Sequence, residues 1–491
     1  MESDKLERYR QQLAEECFNR TEHLISGNGE EDDFLLERHQ QDGMLAAAAA
    51  LEGGIDRFSI IHAGGSGKTV LEAGIVQASR AAKASMNGDV TGHKDLILTV
   101  ERSLITSVRD HIVQLIGDDN VGMWGMGKKE LEPDIIVANI QALQHCGGNF
   151  PDAIDPSRVS LIVGDEADKF LTARRRELLD QFENAIRIGF TATPRWSDGR
   201  HINQAWGEII DRLSLRGAIE RGVNVDAFFL LFEANIIGRH IPVVRRDFDY
   251  DKAALAAAMK YVQIEESIPH IYRDVVLSES NPKEFPTLVY VPSVQVLQDT
   301  ENALRQAFER RGITISSWHG KMTNSRLSNE MEAFQNGEID ILVLCEMGGR
   351  GLNLPRARCI IDAYPTLSAN KLEQRHSRTL RRIRPGSKLD REDFQKPDAV
   401  IVQIIPKSNA FRPITLLDVL DGWQGWSQGG RGVGGRSTGH PSEDRIGRIV
   451  ERLRLQPITP EVTLLEEVDS LMRAQRYDEV PEADDNDIYY E

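Results

Sequence analysis

The sequence predicts an α/β fold with two tandem parallel-sheet domains, and three observations support it. Short apolar runs alternate with helical patterns, as is typical of a parallel sheet flanked by helices. The alternation restarts halfway along the chain, which indicates a second domain. Glycine-rich or acidic segments follow several of the runs, where open sheets bind ligands. The predicted strands lie at 95–100, 133–139, 159–168 and 185–194, and then at 285–293, 312–320, 340–351, 357–365 and 398–406.

The 491 residues are enough for two or three domains. We expect the segment 226–280 to be a connection with helices. Beyond 410, a glycine-rich stretch precedes a pair of predicted helices, at 443–455 and 460–476, and an acidic tail. The predicted organisation is 1–33 (N-terminal helix and linker), 34–225 (first domain), 226–410 (second domain) and 411–491 (linker, small helical C-terminal extension and acidic tail).

The composition excludes several classes of protein. A formal charge of −17 excludes a globally basic nucleic-acid binder but not a local basic groove. The four cysteines lie far apart without a C-x-x-C motif, which favours reduced thiols and no zinc site. The charged N-terminus lacks the apolar core of a signal peptide, and no apolar run is long enough to span a membrane. We therefore expect a cytoplasmic protein without membrane contact.

A glycine-rich turn between an apolar strand and a helix predicts a phosphate site. Its backbone N–H groups and the helix N-terminus attract an anion. Lys68 would reach the outer phosphates, and the Thr69 hydroxyl would bind Mg²⁺. His62 stands where the strict motif has glycine, and an ordinary strand-to-helix turn is the alternative. The predicted phosphate-binding residues are Gly64, Gly65, Ser66, Gly67, Lys68 and Thr69.

Two adjacent carboxylates follow the apolar strand at 159–168. Asp165 is suited to holding magnesium, and Glu166 to orienting or deprotonating an attacking water. A solvated acidic turn is the alternative. Combined with the glycine-rich turn, the pair predicts a site for ATP with Mg²⁺.

Further motifs follow in a fixed order. After GGSGKT (64–69) come DEAD (165–168), TAT (191–193), YVPSVQVLQDT (290–300), CEMGGRGLNLPRA (345–357) and QRHSRTLRR (374–382). In this order they resemble the motifs of superfamily 2 helicase-type ATPases, over roughly residues 34–410. The resemblance implies two RecA-like domains that clamp ATP between them.

The resemblance also implies roles around the nucleotide. Arg378 and Arg381 would act as arginine fingers, and three-residue spacing would place them on one helix face. Gln374 is the first residue of the same motif. The alternative interpretation of this motif is a basic surface without a role at the nucleotide. Thr191 and Thr193 would couple the nucleotide to nucleic acid.

Two further segments resemble nucleotide-binding elements of the family. Gln40 would pair with adenine, with Gln41 as the neighbouring choice and a surface glutamine as the alternative. Gly351 and Asn353 of the fifth motif would add contacts to the nucleotide.

Several loops, predicted on one face of both domains, resemble the segments with which the family contacts the nucleic-acid backbone. Such contacts position a strand without reading its sequence, so binding should be salt-sensitive. A local capping or turn role is the alternative for each residue. The candidates are Arg102, Asn139, Gln141, Ser293, His319 and Gly320.

The choice between branches of the family rests on a few positions. TAT, Gln374 and the segment 214–228 resemble DNA-directed restriction and repair motors more than DEAD-box RNA helicases, so DNA is favoured and RNA stays open. Departures in the fifth motif, such as Cys345 and Arg350, favour the alternative of an ATPase switch or scaffold that does not translocate. Protein partners would bind through the C-terminal extension or the acidic tail.

Overall fold

The computed structural model divides into two compact units, Met1–Ser214 and Leu215–Glu491. Each is built around a mainly parallel sheet, which confirms the predicted α/β class with two RecA-like domains. The described residues are 3–26, 36–86, 90, 92–100, 105–117, 120–195, 199–236, 241–244, 249–278, 281–345, 354–384, 389–391, 394–407, 413–419 and 462–464.

The first unit contains an eight-stranded sheet in the order β4-β3-β5-β2-β6-β7-β1-β8. Every neighbouring pair is parallel except the β3–β4 hairpin. The four strands predicted here are present as β2, β5, β6 and β7. The strands are β1 (Arg57–His62), β2 (Lys94–Thr99), β3 (Val121–Gly125), β4 (Lys128–Lys129), β5 (Ile135–Asn139), β6 (Val159–Asp165), β7 (Ile186–Thr191) and β8 (Glu208–Leu213).

Helices cover this sheet, and the N-terminal helix packs on the two that follow it. Tyr9 of that helix lies 2.6 Å from the Ser79 hydroxyl, which in turn donates to the buried Asp95. The predicted N-terminal helix is therefore part of the first unit's core. The helices are α1 (Ser3–Ser26), α2 (Arg38–Glu52), α3 (Lys68–Ser85), α4 (Ile105–Ile116), α5 (Ile140–His145), α6 (Ala173–Asp180) and α7 (Asn203–Trp206).

A buried indole holds the segment after β6 in place. The Trp206 ring lies against Gly164 of β6 and Gly189 of β7, and its Nε1 donates to the Ala167 carbonyl at 3.0 Å. A Cβ atom at Gly164 would lie 2.2 Å from a ring carbon of Trp206. Glycine is therefore required on both strands, because only its missing side chain leaves room for the indole.

The second unit contains a seven-stranded sheet in the order β13-β14-β12-β15-β16-β9-β17, in which only β17 is antiparallel to its neighbour. Its five predicted strands are β12 to β16. The strands are β9 (Asp226–Ala234), β10 (Val243–Val244), β11 (Asp249–Tyr250), β12 (Thr287–Val291), β13 (Ile315–His319), β14 (Ile341–Cys345), β15 (Cys359–Asp362), β16 (Asp398–Pro406) and β17 (Val462–Leu464).

Several helices of this unit begin at side-chain caps. Asp251, Ser293 and Thr323 each accept a hydrogen bond from a backbone N–H of the first turn. Among the helices of the described residues, none is both long and apolar enough to cross a membrane. The helices are α8 (Leu215–Glu220), α9 (Lys252–Tyr261), α10 (Ile264–Tyr272), α11 (Val294–Phe308), α12 (Asn324–Asn336), α13 (Ala369–Leu380) and α14 (Leu416–Val419).

Two predictions about this unit were wrong in part. The segment 226–280 was expected to be a connection with helices, but β9 occupies its start and pairs with β16 along its whole length. Residues 462–464 were expected to be helical, but they pair with β9 as β17. In both places an available strand edge overrides local pattern, because pairing satisfies backbone groups that a sheet leaves open. The remaining predicted C-terminal extension and the acidic tail lie outside the described residues.

Replacement of Gly164 by alanine should destabilise the first unit by about 1–3 kcal/mol, because the new methyl group overlaps the Trp206 ring. Amide hydrogen exchange of β6 and β7 during urea unfolding measures this. Gly74→Ala is the matched control. A Cβ there meets nothing closer than 3.5 Å, and helical alanine stabilises by roughly 0.5–1 kcal/mol over glycine. Equal effects of both substitutions would contradict the packing account.

Candidate nucleotide-binding site

The predicted phosphate loop joins β1 to α3. Gly65 and Gly67 have left-handed backbones with φ of 87° and 79°, a conformation that favours glycine. The first turn of α3 begins at Lys68 and contains no acidic residue. The Ser66 hydroxyl is buried and has no hydrogen-bond partner among the described residues. A bare helix N-terminus behind two left-handed glycines is suited to binding a phosphate group.

Lys68 and His62 are held at the end of β1. The Lys68 ammonium group donates to the His62 carbonyl at 3.0 Å and to the Ala63 carbonyl at 3.5 Å. The His62 side chain is buried, and its Nε2 lies 2.7 Å from a carboxylate oxygen of Asp211 on β8. The departure from glycine at position 62 is therefore accommodated, because the histidine side chain bonds to the neighbouring strand.

Gln40, the first choice for the residue that reads adenine, contacts the phosphate loop. Gln40 donates to the carbonyls of Ser66 and Gly67, both at 3.2 Å, and accepts from the Glu37 backbone. His39, which the sequence reasoning missed, places its Nε2 2.7 Å from the Ser66 carbonyl. The neighbouring choice, Gln41, instead donates to the Leu36 carbonyl. The start of α2 is thereby bonded to the loop through two side chains.

The acidic segment lies at the same edge of the sheet as the loop, because β1 and β6 run parallel. Asp165 ends β6, and Glu166 follows it in a left-handed conformation with φ of 53°, which is uncommon for a residue with a side chain. Burial, and then the neighbouring Glu166, raise the pKa of Asp165 to about 6. Lys169 lies 3.8 Å from Glu166.

The TAT segment is bonded to the acidic segment. The Thr191 hydroxyl donates to Asp168 at 2.6 Å and accepts from the Thr193 backbone at 3.2 Å. Burial, followed by Glu166, raises the pKa of Asp168 to about 7. Of the two threonines predicted to couple the nucleotide to nucleic acid, Thr191 thus bonds directly to the last residue of the DEAD tetrad, and Thr193 bonds to Thr191.

Glu72 is a residue of this edge that the sequence reasoning missed. It lies on α3 one turn after Lys68 and has no exposed surface. Neither of its carboxyl oxygens has a hydrogen-bond partner in the described part of the chain. An acidic residue on the apolar side of a helix was the available signal. Thr69 and Asp165 at this edge carry the oxygen ligands that a hard divalent cation such as Mg²⁺ prefers.

The basic motif of the second unit is only partly helical. Helix α13 ends at Leu380, and Arg381 follows it in an extended conformation. Arg378 and Arg381 were predicted to share one helix face, and this prediction was wrong because Arg381 lies outside the helix. The Arg378 guanidinium is buried and donates to the Tyr290 hydroxyl at 2.8 Å. Burial, then Arg378 and Arg384, lower the pKa of Arg381 to about 10, so it stays charged near neutral pH.

A buried ionic cluster fixes α13 on the sheet, and the sequence reasoning missed it. Asp362 at the end of β15 binds the Arg375 guanidinium at 2.8 Å and lies 2.9 Å from His376 Nε2. Burial lowers the pKa of His376. Gln374 lies beside this cluster on α13 and is half-buried. The cluster therefore orients the helix from which Arg378 extends.

The candidate nucleic-acid residues that the structure describes lie at strand ends or just after them, and several have local partners. Asn139 accepts from the Gln141 backbone and donates to the Val100 carbonyl, and Ser293 caps α11. His319 Nδ1 accepts from the Lys321 backbone, and Gly320 is exposed. Three predicted site residues, Arg102, Gly351 and Asn353, lie outside the described residues.

A phosphate loop and an acidic strand end on one sheet edge, followed by a second parallel-sheet unit, define a phosphate-loop protein with two α/β domains. Two family models match this chain. Residues 33–196 match the type III restriction enzyme, res subunit, and residues 267–382 match the helicase conserved C-terminal domain.

Relatives and solved structures agree with these matches. The chain is 26% identical to a Saccharomyces cerevisiae protein named as an ATP-dependent helicase, IRC3, over 71% of this chain and 49% of that protein. It is 24% identical to ATP-dependent RNA helicase DBP3 of Cryptococcus neoformans, over 63% and 49%. The chain thus spans about half the length of these relatives.

Among solved structures, a fragment described as an HsdR subunit of a type I restriction enzyme from Vibrio vulnificus matches with a TM-score of 0.57. Its identity is 20%, and the match covers 74% of this chain and 63% of that chain. The type ISP restriction-modification enzyme LlaBIII bound to DNA matches with a TM-score of 0.54 at 16% identity, over 80% and 29%. The two matched segments are of the kinds found in superfamily 2 helicases, and the first of them matches a restriction-enzyme family.

Asp168 should make the stability of the first unit depend on pH. Its pKa is about 7 in the folded chain against an ordinary value of 3.8. At pH values between these two pKa values, the folded state keeps a proton that the unfolded state has released. The stability of the first unit therefore falls as pH rises through this range. Asp168→Asn keeps an acceptor for Thr191 but does not titrate. We expect the urea midpoint of Asp168→Asn, relative to that of the wild type, to increase between about pH 4 and about pH 7. Above about pH 7 the difference between the two midpoints should stay constant. A pH-independent difference between the two would contradict this.

Proposed function

We propose that this chain is an ATP-dependent nucleic-acid helicase or translocase that acts on DNA. The observation that carries the proposal is the shared sheet edge of the first unit. There, the bare N-terminus of α3 and the Lys68 ammonium group lie at the same edge as Asp165 and Glu166. This edge offers positive charge for phosphates and carboxylates for a metal ion and a water, which are the parts that phosphoryl transfer requires.

The roles follow from the chemistry of each group. Lys68 leaves the His62 carbonyl to bind the outer phosphates, and the loop N–H groups bind the inner ones. Thr69 and Asp165 hold Mg²⁺, which when bound neutralises charge on the phosphate oxygens. Glu166 orients the attacking water. Gln40 contacts adenine while its amide also supports the loop.

The second unit supplies the remaining charges. Arg378 and Arg381 stabilise the charge that develops on the transferred phosphoryl group, and Gln374 orients the water or phosphate beside them. Gly351 and Asn353 add contacts to the nucleotide. Hydrolysis then depends on both units, which links ATP turnover to their movement along a strand.

The preference for DNA rests on the branch of the family, since the restriction enzyme in the second structural match was determined bound to DNA. RNA remains the second candidate, because one similar relative is named as an RNA helicase. The six nucleic-acid candidates, Arg102 to Gly320, contact the strand backbone in this proposal. A nucleic-acid-stimulated ATPase switch or scaffold is the third candidate, and protein partners bind the C-terminal region.

The rate of ATP hydrolysis with single-stranded DNA, duplex DNA and RNA, each at low and high salt, tests the proposed function. We expect DNA to stimulate hydrolysis most and added salt to weaken the stimulation, because backbone contacts release counterions. Lys68→Ala should abolish turnover. Stimulation by RNA alone would reassign the substrate, and stimulation without strand displacement or stepping would favour the switch. An absence of ATP hydrolysis under every condition would overturn the proposal.

Arg381→Ala should lower kcat by about 10³-fold or more, with a smaller change in ATP affinity, since an arginine finger acts mainly in the transition state. Arg305→Ala is the control, because Arg305 is a half-exposed arginine of the same unit that pairs with Glu301 on α11. Normal turnover in Arg381→Ala would remove the finger role from this residue.

A further inference from the structure

Glu72 is a buried carboxyl group to which the proposed function gives no part. It follows Lys68 by four residues and Thr69 by three, so the three side chains lie on one side of α3. The side chain is fully buried, and neither carboxyl oxygen has a hydrogen-bond partner among the residues that the structure describes. A carboxyl group in this position destabilises the folded chain unless another group satisfies it.

The surrounding charges indicate which kind of group that is. Burial, and then the negative charge of Asp165, raise the pKa of Glu72 well above its usual range, while Lys68 acts in the opposite direction. Glu166 adds further negative charge. The Lys68 ammonium group is itself bonded to the His62 carbonyl. The carboxyl groups of Glu72, Asp165 and Glu166 therefore outnumber the neighbouring ammonium groups of Lys68 and Lys169. A cation bound beside the three carboxyl groups would stabilise their ionised forms.

We propose that Glu72 is a positioning residue of the magnesium site, a third carboxyl group that accepts hydrogen bonds from water on the ion held by Thr69 and Asp165. The inference rests on the proposed function, since the ion is the one that accompanies ATP. Mg²⁺ keeps several water ligands and binds through one or two carboxylates, so its waters need acceptors. Buried carboxyl oxygens without a protein partner are such acceptors, and groups of this kind orient the metal's direct ligands.

A purely structural role for Glu72 makes a different prediction. A buried residue that only fills space would be replaced without loss by an apolar side chain of similar size, and magnesium would play no part in the result. A positioning residue instead changes how strongly magnesium increases nucleotide affinity, even where the fold is intact. The dependence on free Mg²⁺ is therefore the measurement that separates the two roles.

The test uses the full chain and a slowly hydrolysed fluorescent ATP analogue, titrated over a series of free Mg²⁺ concentrations. Glu72→Gln should leave the affinity in EDTA unchanged. Mg²⁺ increases the affinity for the analogue, and Glu72→Gln should raise the free Mg²⁺ concentration that gives half of this increase. The expected rise is about 10-fold, as is typical when a metal-orienting group is lost. Glu72→Met should show the same shift and a higher melting temperature without Mg²⁺, because it removes the unsatisfied carboxyl group.

Asp95→Asn is the matched control, because Asp95 is a buried carboxyl near the opposite end of β2 and is bonded to Ser79 and Lys83. It should leave the Mg²⁺ dependence unchanged. A wild-type response to Mg²⁺ in both Glu72 variants would overturn this inference alone. If the wild-type chain binds no analogue at any Mg²⁺ concentration, the proposed function fails as well.

Discussion

The candidate site of the first unit depends on the positive and negative side chains that meet at one edge of its sheet. Parallel pairing brings the ends of β1, β6 and β7 to that edge, and with them Lys68, Asp165 and Thr191. Because the strands are buried, the charges at their ends interact in a medium of lower dielectric constant than water. Repulsion between like charges is stronger there. The raised pKa values of Asp165 and Asp168 have burial as their main cause. The folded chain thus keeps a set of charges at this edge that the proposed nucleotide and its cation would complete.

Packing behind this edge keeps the acidic segment in position. Trp206 fills the space above Gly164 and Gly189 and bonds to the Ala167 carbonyl. The left-handed backbone of Glu166 is a conformation that a non-glycine residue adopts only when its surroundings determine it. A rigid apolar support therefore maintains a strained polar segment, as is common where a side chain has to be presented to a ligand. The same support explains why a glycine occupies the last position of β6 before Asp165.

The sequence predicted the parts of this protein that depend on local pattern. Buried strands such as β6 and β16 are continuous apolar runs, and the phosphate loop is a short glycine-rich segment, so both are visible without tertiary information. Strand β9 was missed because it lies far along the chain from the other strands of its sheet. Its pairing with β16 is therefore not visible in the local sequence. Glu72 and the Asp362 cluster were missed because burial and partners, rather than residue type, distinguish them. The helix end at Leu380 depends on pairing that no local signal shows.

That helix end has a consequence for the second unit. The Val225 backbone donates to the Leu380 carbonyl at 2.9 Å, and Asn224 pairs with Arg381 as an isolated bridge. Residues 224 and 225 lie between α8 and β9, near the point where the chain enters this unit. Had α13 continued through Arg381, its backbone would bond within the helix and would be free of the entering chain. Because it ends there, the Arg381 backbone pairs with the entering segment, while the Arg378 side chain bonds to Tyr290 and the Asp362 cluster one turn earlier holds α13 on the sheet. The two arginines are therefore anchored differently: Arg378 is bonded to Tyr290 of the sheet, and Arg381 is paired with the segment that leads into the unit.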